Sequence, residues 1–507
     1  MSGATGWRLT YSLAVAGLLL ASVAVPAFAQ TQGDAIPAHP RDLVFDALQF
    51  DPPDQATHRH VLSNGAIAFV VPDHALPLVT VSVVVRTGSW LEPPEKAGLA
   101  SLTGGQMRAG GAGDRDPAAF DEEAAFLAAN LSSSIGDTSG RASVNSLTKD
   151  LDASLDLLFD MLRRPRFDPE RLELAKSQAL QGMERRNDST QSIEVREWGR
   201  LLRGVDHFTT TPTTRATIEA ITRDDLVAFH ERYYHPGNFL FAISGDVGPE
   251  DILPRLEARM ADWPAREPVT EPVPAPTHEL QPGIYVVDKD DVNQGRVVIG
   301  HRGTMRDNPD RYALMVMNDI LGGGGFAARL LTRIRSDEGL AYSAYSSFGL
   351  GTYYPGAFRA SFQSRSETVA RATAIVLEEI DRMRTETVSE AELRISKASF
   401  IETFSRNFSS PASTAGLFAN DEYTGRDPEY LVNYRDNIAA VSGDDVQRVA
   451  QEYLDPEGLV ILVVGDRATI EAGDPDNPEI QLEGLAGGAI TVIPLPDPFT
   501  MEYPSAP

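Results

Sequence analysis

The second half of this 507-residue chain repeats the first. Residues 218–246 align without gaps on 438–466, an offset of 220. Identities include Asp224 with Asp444, Asp225 with Asp445, Tyr233 with Tyr453, Pro236 with Pro456 and Asp246 with Asp466. Upstream, "ERLELAKSQ" pairs with "AELRISKAS" at an offset of 221. A chain built from two copies of a unit this long must solve one packing problem twice. The reading is a pair of similar α+β domains, each a sheet covered by helices. A Pro-rich stretch, 263–282, is the expected linker between a first domain at 56–262 and a second at 283–471.

The elements follow from periodicity. "HVLSNGAIAFVVPD" is a hairpin turning at Asn64-Gly65, and "LVTVSVVVRTGS" is a strand. A helical stretch runs from about Pro94 through "GLASLTGGQMRAGG", and Asp116 caps another helix with Pro117 in its first turn. "RASVNSLTKDL" is a strand; "LDASLDLLFDMLRRP" and "DPERLELAKSQALQGMERR" are helices. The second copy repeats the pattern, with "RYALMVMNDIL", "TVARATAIVLEEIDRMR" and "SEAELRISKASFIETFSR" helical and "LAYSAYSSF", "GAFRASFQS" and "GLVILVVGD" extended. A tail, 472–507, holds one apolar patch, "AITVIPLP", expected as an edge strand.

Residues 1–29 are expected to be a signal peptide: Arg8, a short apolar run and an Ala27-Phe28-Ala29 cleavage site. An arm, 30–55, follows. The expected product is exported, periplasmic and without a membrane anchor. With 45 basic against 72 acidic residues the net charge is −27, which argues against a nucleic-acid partner. The absence of cysteine excludes disulfides, thiolate metal sites and Cys nucleophiles.

The stretch "LGGGGFAARLLTRIRSDEGLAYSAY" is the candidate functional element. Gly322, Gly323, Gly324 and Gly325 allow close approach of a ligand backbone. A short helix should follow, with Phe326, Ala327, Leu330, Leu331 and Ile334 on one stripe and Gly339 as its stop. Arg335 would then lie near Tyr342, where guanidinium and phenol together can donate to an oxyanion. From these residues alone, a surface Arg beside a buried packing Tyr is the favoured reading.

The order and duplication of these pieces resemble the M16 (pitrilysin/insulinase) peptidase family, especially bacterial members and mitochondrial processing peptidase subunits. The resemblance covers about residues 55–470 and rests on "RTGSWLEPPEKAGLASL", "FHERYYHPGNFLFAISGDV" and the glycine-rich stretch. It implies a pair of related domains forming one half of a clam-shell. Active members carry an inverted motif, H-x-x-E-H, with two zinc-binding His, a general-base Glu and a distant Glu ligand. The equivalent positions here are Ser101, Gly104 and Gly105, with Gly182 as the distant one. None of the four supplies a zinc ligand or a base, and two glycines each weaken a helix by about 1 kcal/mol relative to Ala. "HERYYH" is no replacement: His230 and His235 are five apart, turned about 140° from one another on a helix, and are expected to be surface or capping residues.

The resemblance also implies that an Arg and a Tyr at the spacing of Arg335 and Tyr342 stabilise the scissile carbonyl's oxyanion, and that the glycine run contacts substrate peptide. The expectation is a subunit with no metal of its own. It would lend Arg335 and Tyr342 to a zinc-bearing M16 partner in a heterodimeric metalloendopeptidase acting on peptides. The alternative is a non-catalytic scaffold or peptide-binding homologue.

Overall fold

The computed structural model describes residue 39, residues 49–485 and residues 489–504. The expected signal peptide and most of the expected arm lie outside the described residues. Contacts divide the chain into Met1–Gln49 and one compact unit, Phe50–Pro507. Among the described residues no helix is long and apolar enough to cross a membrane.

Two six-stranded sheets organise the compact unit. The first contains β1 (Arg59–Val61), β2 (Ile67–Pro72), β3 (Leu78–Val85), β4 (Asn130–Ile135), β5 (Gly140–Leu147) and β6 (Phe239–Gly245), in the order β1-β2-β6-β3-β5-β4. The second contains β7 (Gly283–Asp288) and β8 (Gln294–Arg302). After β9 (Thr304–Met305) come β10 (Ala341–Phe348), β11 (Leu350–Gly351), β12 (Ala357–Arg365), β13 (Val460–Gly465) and β14 (Ile490–Ile493). Its order, read from the far edge, is β14-β7-β13-β8-β12-β10, while β9 and β11 form a small separate ladder. The repeat is therefore topological: β2-β6-β3-β5-β4 recurs as β7-β13-β8-β12-β10. In both sheets the β2–β6 or β7–β13 pair is parallel and the next three pairings are antiparallel. The outermost strands differ, β1 coming from the local hairpin and β14 from the C-terminal tail.

Helices cover the sheets. In chain order they include α1 (Leu99–Ala109), α2 (Leu151–Arg163), α3 (Pro169–Glu184), α4 (Thr190–Arg203), α5 (Arg223–Tyr233), α6 (Arg311–Asn318), α7 (Val369–Thr385), α8 (Glu390–Thr403), α9 (Pro411–Thr424) and α10 (Gly443–Tyr453). Side-chain oxygens cap several of them. Asp168 accepts from the Arg171 amide, and Thr222, Ser389 and Ser442 form reciprocal capping boxes.

The halves trade one helix each. α4 packs on the second sheet, where Ile193, Trp198 and Leu202 join Val298, Leu462 and Val464 in one apolar cluster. α9, 221 residues later, packs on the first sheet, with Phe418 against Phe69 at 6.0 Å between ring centroids. Burying each such side chain contributes about 1.5–3 kcal/mol, so the exchange joins the halves strongly. Glu194 of α4, only 1% exposed, adds an ion pair with Arg296 of β8 and another with Arg359 of β12 at 3.2 Å.

His230 and His235 are buried, which corrects their reading as surface or capping residues. His230 packs flat against Tyr234 and its Nε2 meets the Leu162 carbonyl at 2.8 Å. Burial pushes its pKa down to about 4.

Candidate functional site

The glycine-rich stretch is held against β10, the end strand of the second sheet. A Cβ on Gly322 would stand 2.4 Å from the Ser346 backbone nitrogen, so glycine is what allows this approach. Asn318 and Ser346 fix the contact, with Ser346 Oγ 2.9 Å from Asn318 Oδ1. The segment is not the expected regular helix. It winds as a π-helical turn, Asp319–Gly323, then a 3₁₀ turn, Gly325–Ala327, then a single α-turn, Arg329–Leu331. A second π-helical turn, Thr332–Asp337, carries Arg335. Single π-turns of this kind are frequent at functional sites. Leu330, Leu331 and Ile334 are buried as the stripe predicts, but Phe326 is 79% exposed because the 3₁₀ turn swings it off that stripe. Gly339, at φ +64°, ends the winding and turns the chain into β10.

At the start of β10 the register against β12 shifts between Ala341 and Ala344. Such an irregularity leaves two successive residues, Tyr342 and Ser343, both exposed, and re-aims the tyrosine. Tyr342 is 81% exposed. The Arg335 guanidinium carbon lies 4.6 Å from the Tyr342 ring centroid and 5.0 Å from that of Phe326. Each contact is worth about 0.5–1 kcal/mol at an exposed site. They hold the guanidinium between two rings without using its N–H groups.

The other arginines of the segment are committed. Arg329 pairs with Glu392 at 2.7 Å, and Arg333 with Glu378 and Glu379 at 3.1 and 3.2 Å. Among the described residues Arg335 has no carboxylate partner, in a chain of net charge −27. A cavity of about 450 Å³ opens beside Tyr342, over β8, β10 and β12, and includes Tyr345, Arg296 and Gln363. The structure thus brings Arg335 and Tyr342 together at a sheet edge, with their donors free to serve a ligand.

The four positions matching the zinc motif lie in the other half, on α1 and α3, which are in contact. Glu92 caps α1, its oxygens 3.0 Å from the Gly98 amide and 2.7 Å from that of Ala100. Burial raises its pKa against the pull of those two bonds. Ser101 and Gly105 share the exposed face of α1, and Gly182 is exposed on α3. A Cβ at Gly105 or Gly182 would meet nothing within 4 Å among the described residues outside its own helix turn. Gly104 is buried, and a Cβ there would lie 2.4 Å from the Ile135 backbone nitrogen. Helix α1 thus rests directly on β4 at the residue where the general base would stand. Among the described residues no group of three His, Asp, Glu or Cys could hold a metal ion.

Two family profiles match the chain and together span more than half of it. One, described as insulinase (peptidase family M16), covers residues 70–197; the other, described as the peptidase M16 inactive domain, covers 220–400. The chain belongs to the M16 peptidase family. An uncharacterized zinc protease of Mycobacterium leprae is 29% identical over 50% of this M16 chain and 57% of its own. The chain thus spans little more than half the length of that relative. A Helicobacter pylori protein named non-peptidase homolog YmxG is 24% identical over 65% of this chain and 76% of its own. A crystal structure of a peptidase M16 inactive domain from Pseudomonas fluorescens superimposes with a TM-score of 0.72 at 23% identity. That match covers 80% of this chain and 97% of the other, and it shows the shared M16 fold.

Proposed function

We propose that this chain is the subunit of a heterodimeric M16 peptidase that has no zinc of its own and lends Arg335 and Tyr342 to a zinc-bearing partner. One observation carries the reading. A guanidinium with no carboxylate partner among the described residues is clamped between Phe326 and Tyr342 at a sheet edge, in a chain with Ser101, Gly104, Gly105 and Gly182 at the positions that match the zinc motif. The partner supplies the metal and the attacking water. Arg335 and the Tyr342 hydroxyl donate hydrogen bonds to the peptide carbonyl oxygen as its negative charge builds. One such donor is worth about 3–4 kcal/mol of barrier. Gly322 to Gly325 lie against the substrate backbone. Export through residues 1–29 places the complex in the periplasm.

The experiment is reconstitution with the zinc-bearing M16 protein that co-purifies from the native host. Peptide cleavage should need both chains and stop with chelator. A second reading, a scaffold without a catalytic role, draws on the similarity to a relative named a non-peptidase homolog. Cleavage by the partner alone at the full rate would favour it.

A further inference from the structure

A second cavity, of about 570 Å³, lies between α4, the loop Thr209–Thr213 and the C-terminal tail at Met501. Arg186, Arg196 and Arg203 line it together with Ser192, Thr209 and Thr213, and no acidic residue does. In a chain with 72 acidic residues this is a pronounced local excess of positive charge. Arg186 donates to Thr213 Oγ1 at 2.7 Å and to the Pro498 carbonyl at 3.3 Å. Arg203 donates through Nε to Thr209 Oγ1 at 2.7 Å. Neither has a carboxylate partner among the described residues. Arg196 pairs with Glu197 at 2.6 Å, but its Nη2 is buried with no hydrogen-bond partner among the described residues. Burial disfavours the charge on both Arg186 and Arg203; Arg196 adds repulsion at Arg186, while the charge of Asp137 offsets part of the burial cost at Arg203. Half-buried cations held this way are costly unless a counter-charge sits beside them.

The backbone around the cavity is arranged to seat these groups. Gly199 lies inside α4, where glycine costs about 1 kcal/mol relative to Ala. A Cβ there would stand 3.0 Å from Arg203 Nη2, so the glycine makes room for the guanidinium. Met501, on the cavity wall, takes φ +59°, a left-handed conformation rare for a non-glycine residue. The tail is held in place by Arg215 over Phe499 at 4.2 Å and by Tyr503 donating to Glu197 at 2.8 Å.

We propose that this cavity binds a phosphate-type oxyanion, either inorganic or the phosphoryl group of a small ester. A single carboxylate would satisfy one guanidinium fork. A phosphate offers oxygens in several directions, matching arginines from α4 and from the turn that follows α3. Thr213 Oγ1 accepts from Arg186 and keeps its own proton to donate. The site stands independently of any peptidase role.

The test is calorimetric titration of the wild-type chain with inorganic phosphate, pyrophosphate and, as a carboxylate control, citrate, at low ionic strength. Inorganic phosphate and pyrophosphate should each bind one-to-one and more tightly than citrate. Arg186→Ala and Arg203→Ala should each weaken that binding by about tenfold or more. Gly199→Ala should weaken it while leaving the unliganded melting temperature unchanged or higher, which a purely structural role for Arg203 would not produce. Absence of saturable binding to wild type, citrate binding as tight as pyrophosphate, or affinity unmoved by the arginine variants overturns the proposal.

Discussion

Gly104 of α1 lies so close to Ile135 of β4 that a Cβ on the glycine would be 2.4 Å from the Ile135 backbone nitrogen. The resemblance to active M16 peptidases puts the general base at this position. A carboxylate side chain at residue 104 would have no room between helix and strand.

Gly104→Ala should therefore destabilise the chain by about 1–3 kcal/mol, since the obstructing atoms are backbone. Gly105→Ala, one residue on and open to solvent, should stabilise by up to about 1 kcal/mol. Urea denaturation of both variants checks the opposite signs.

The ligand positions, unlike the base position, remain open. Ser101→His, Gly105→His and Gly182→Glu together should give a chain that binds zinc, because the two histidines would be four apart on one helix face. It should cleave no peptide, because these three substitutions supply no general base. Metal analysis alongside a peptide-cleavage assay tests both halves of this expectation.

Glu194 links the halves by pairing with Arg296 and Arg359 from a 1%-exposed position. Glu194→Ala leaves two cations facing a buried gap and should cost about 3 kcal/mol. The loss should appear as a lower unfolding midpoint, and α4 should become the segment fastest to exchange amide protons.

His230 predicts an acid-side loss of stability. Its folded pKa, about 4, lies below the unfolded value. Between pH 6.5 and 4 the unfolded chain therefore binds the extra proton, and stability falls as pH falls. The contribution is complete above pH 6.5 and amounts to about 3 kcal/mol lost by pH 4. His230→Gln should show a shallower fall than wild type over that interval in matched urea titrations.

What could be read from the residues, and what could not, divides on physical lines. The duplicated sheet was legible because β3 and β13 carry β-branched runs and Gly65 marks a turn. The pairing of Arg335 with Tyr342 was legible from their spacing around Gly339. Helices α4 and α9 went unread. Their buried faces include Glu194, Glu197 and Asp421, and their apolar partners belong to the opposite half. A periodicity argument that looks for a local core does not find them. β4, "NLSSSI", went unread because only Leu131 and Ile135 face inward, which is too little alternation to register. Phe326 was placed inside because regular helical spacing was assumed across a segment that the glycines let wind as π and 3₁₀ turns. His230 was placed outside because nothing in "HERYYH" reveals that the Leu162 carbonyl waits for it in the core.

Arg335 and Tyr342 are proposed to act in the partner's reaction. The direct measurement is the peptide-cleavage rate of the reconstituted heterodimer carrying Arg335→Ala or Tyr342→Phe, with assembly confirmed by size-exclusion chromatography. The account predicts intact assembly and a turnover rate lower by about 10²–10³-fold for each variant. A complex that assembles and cleaves at the wild-type rate would contradict it.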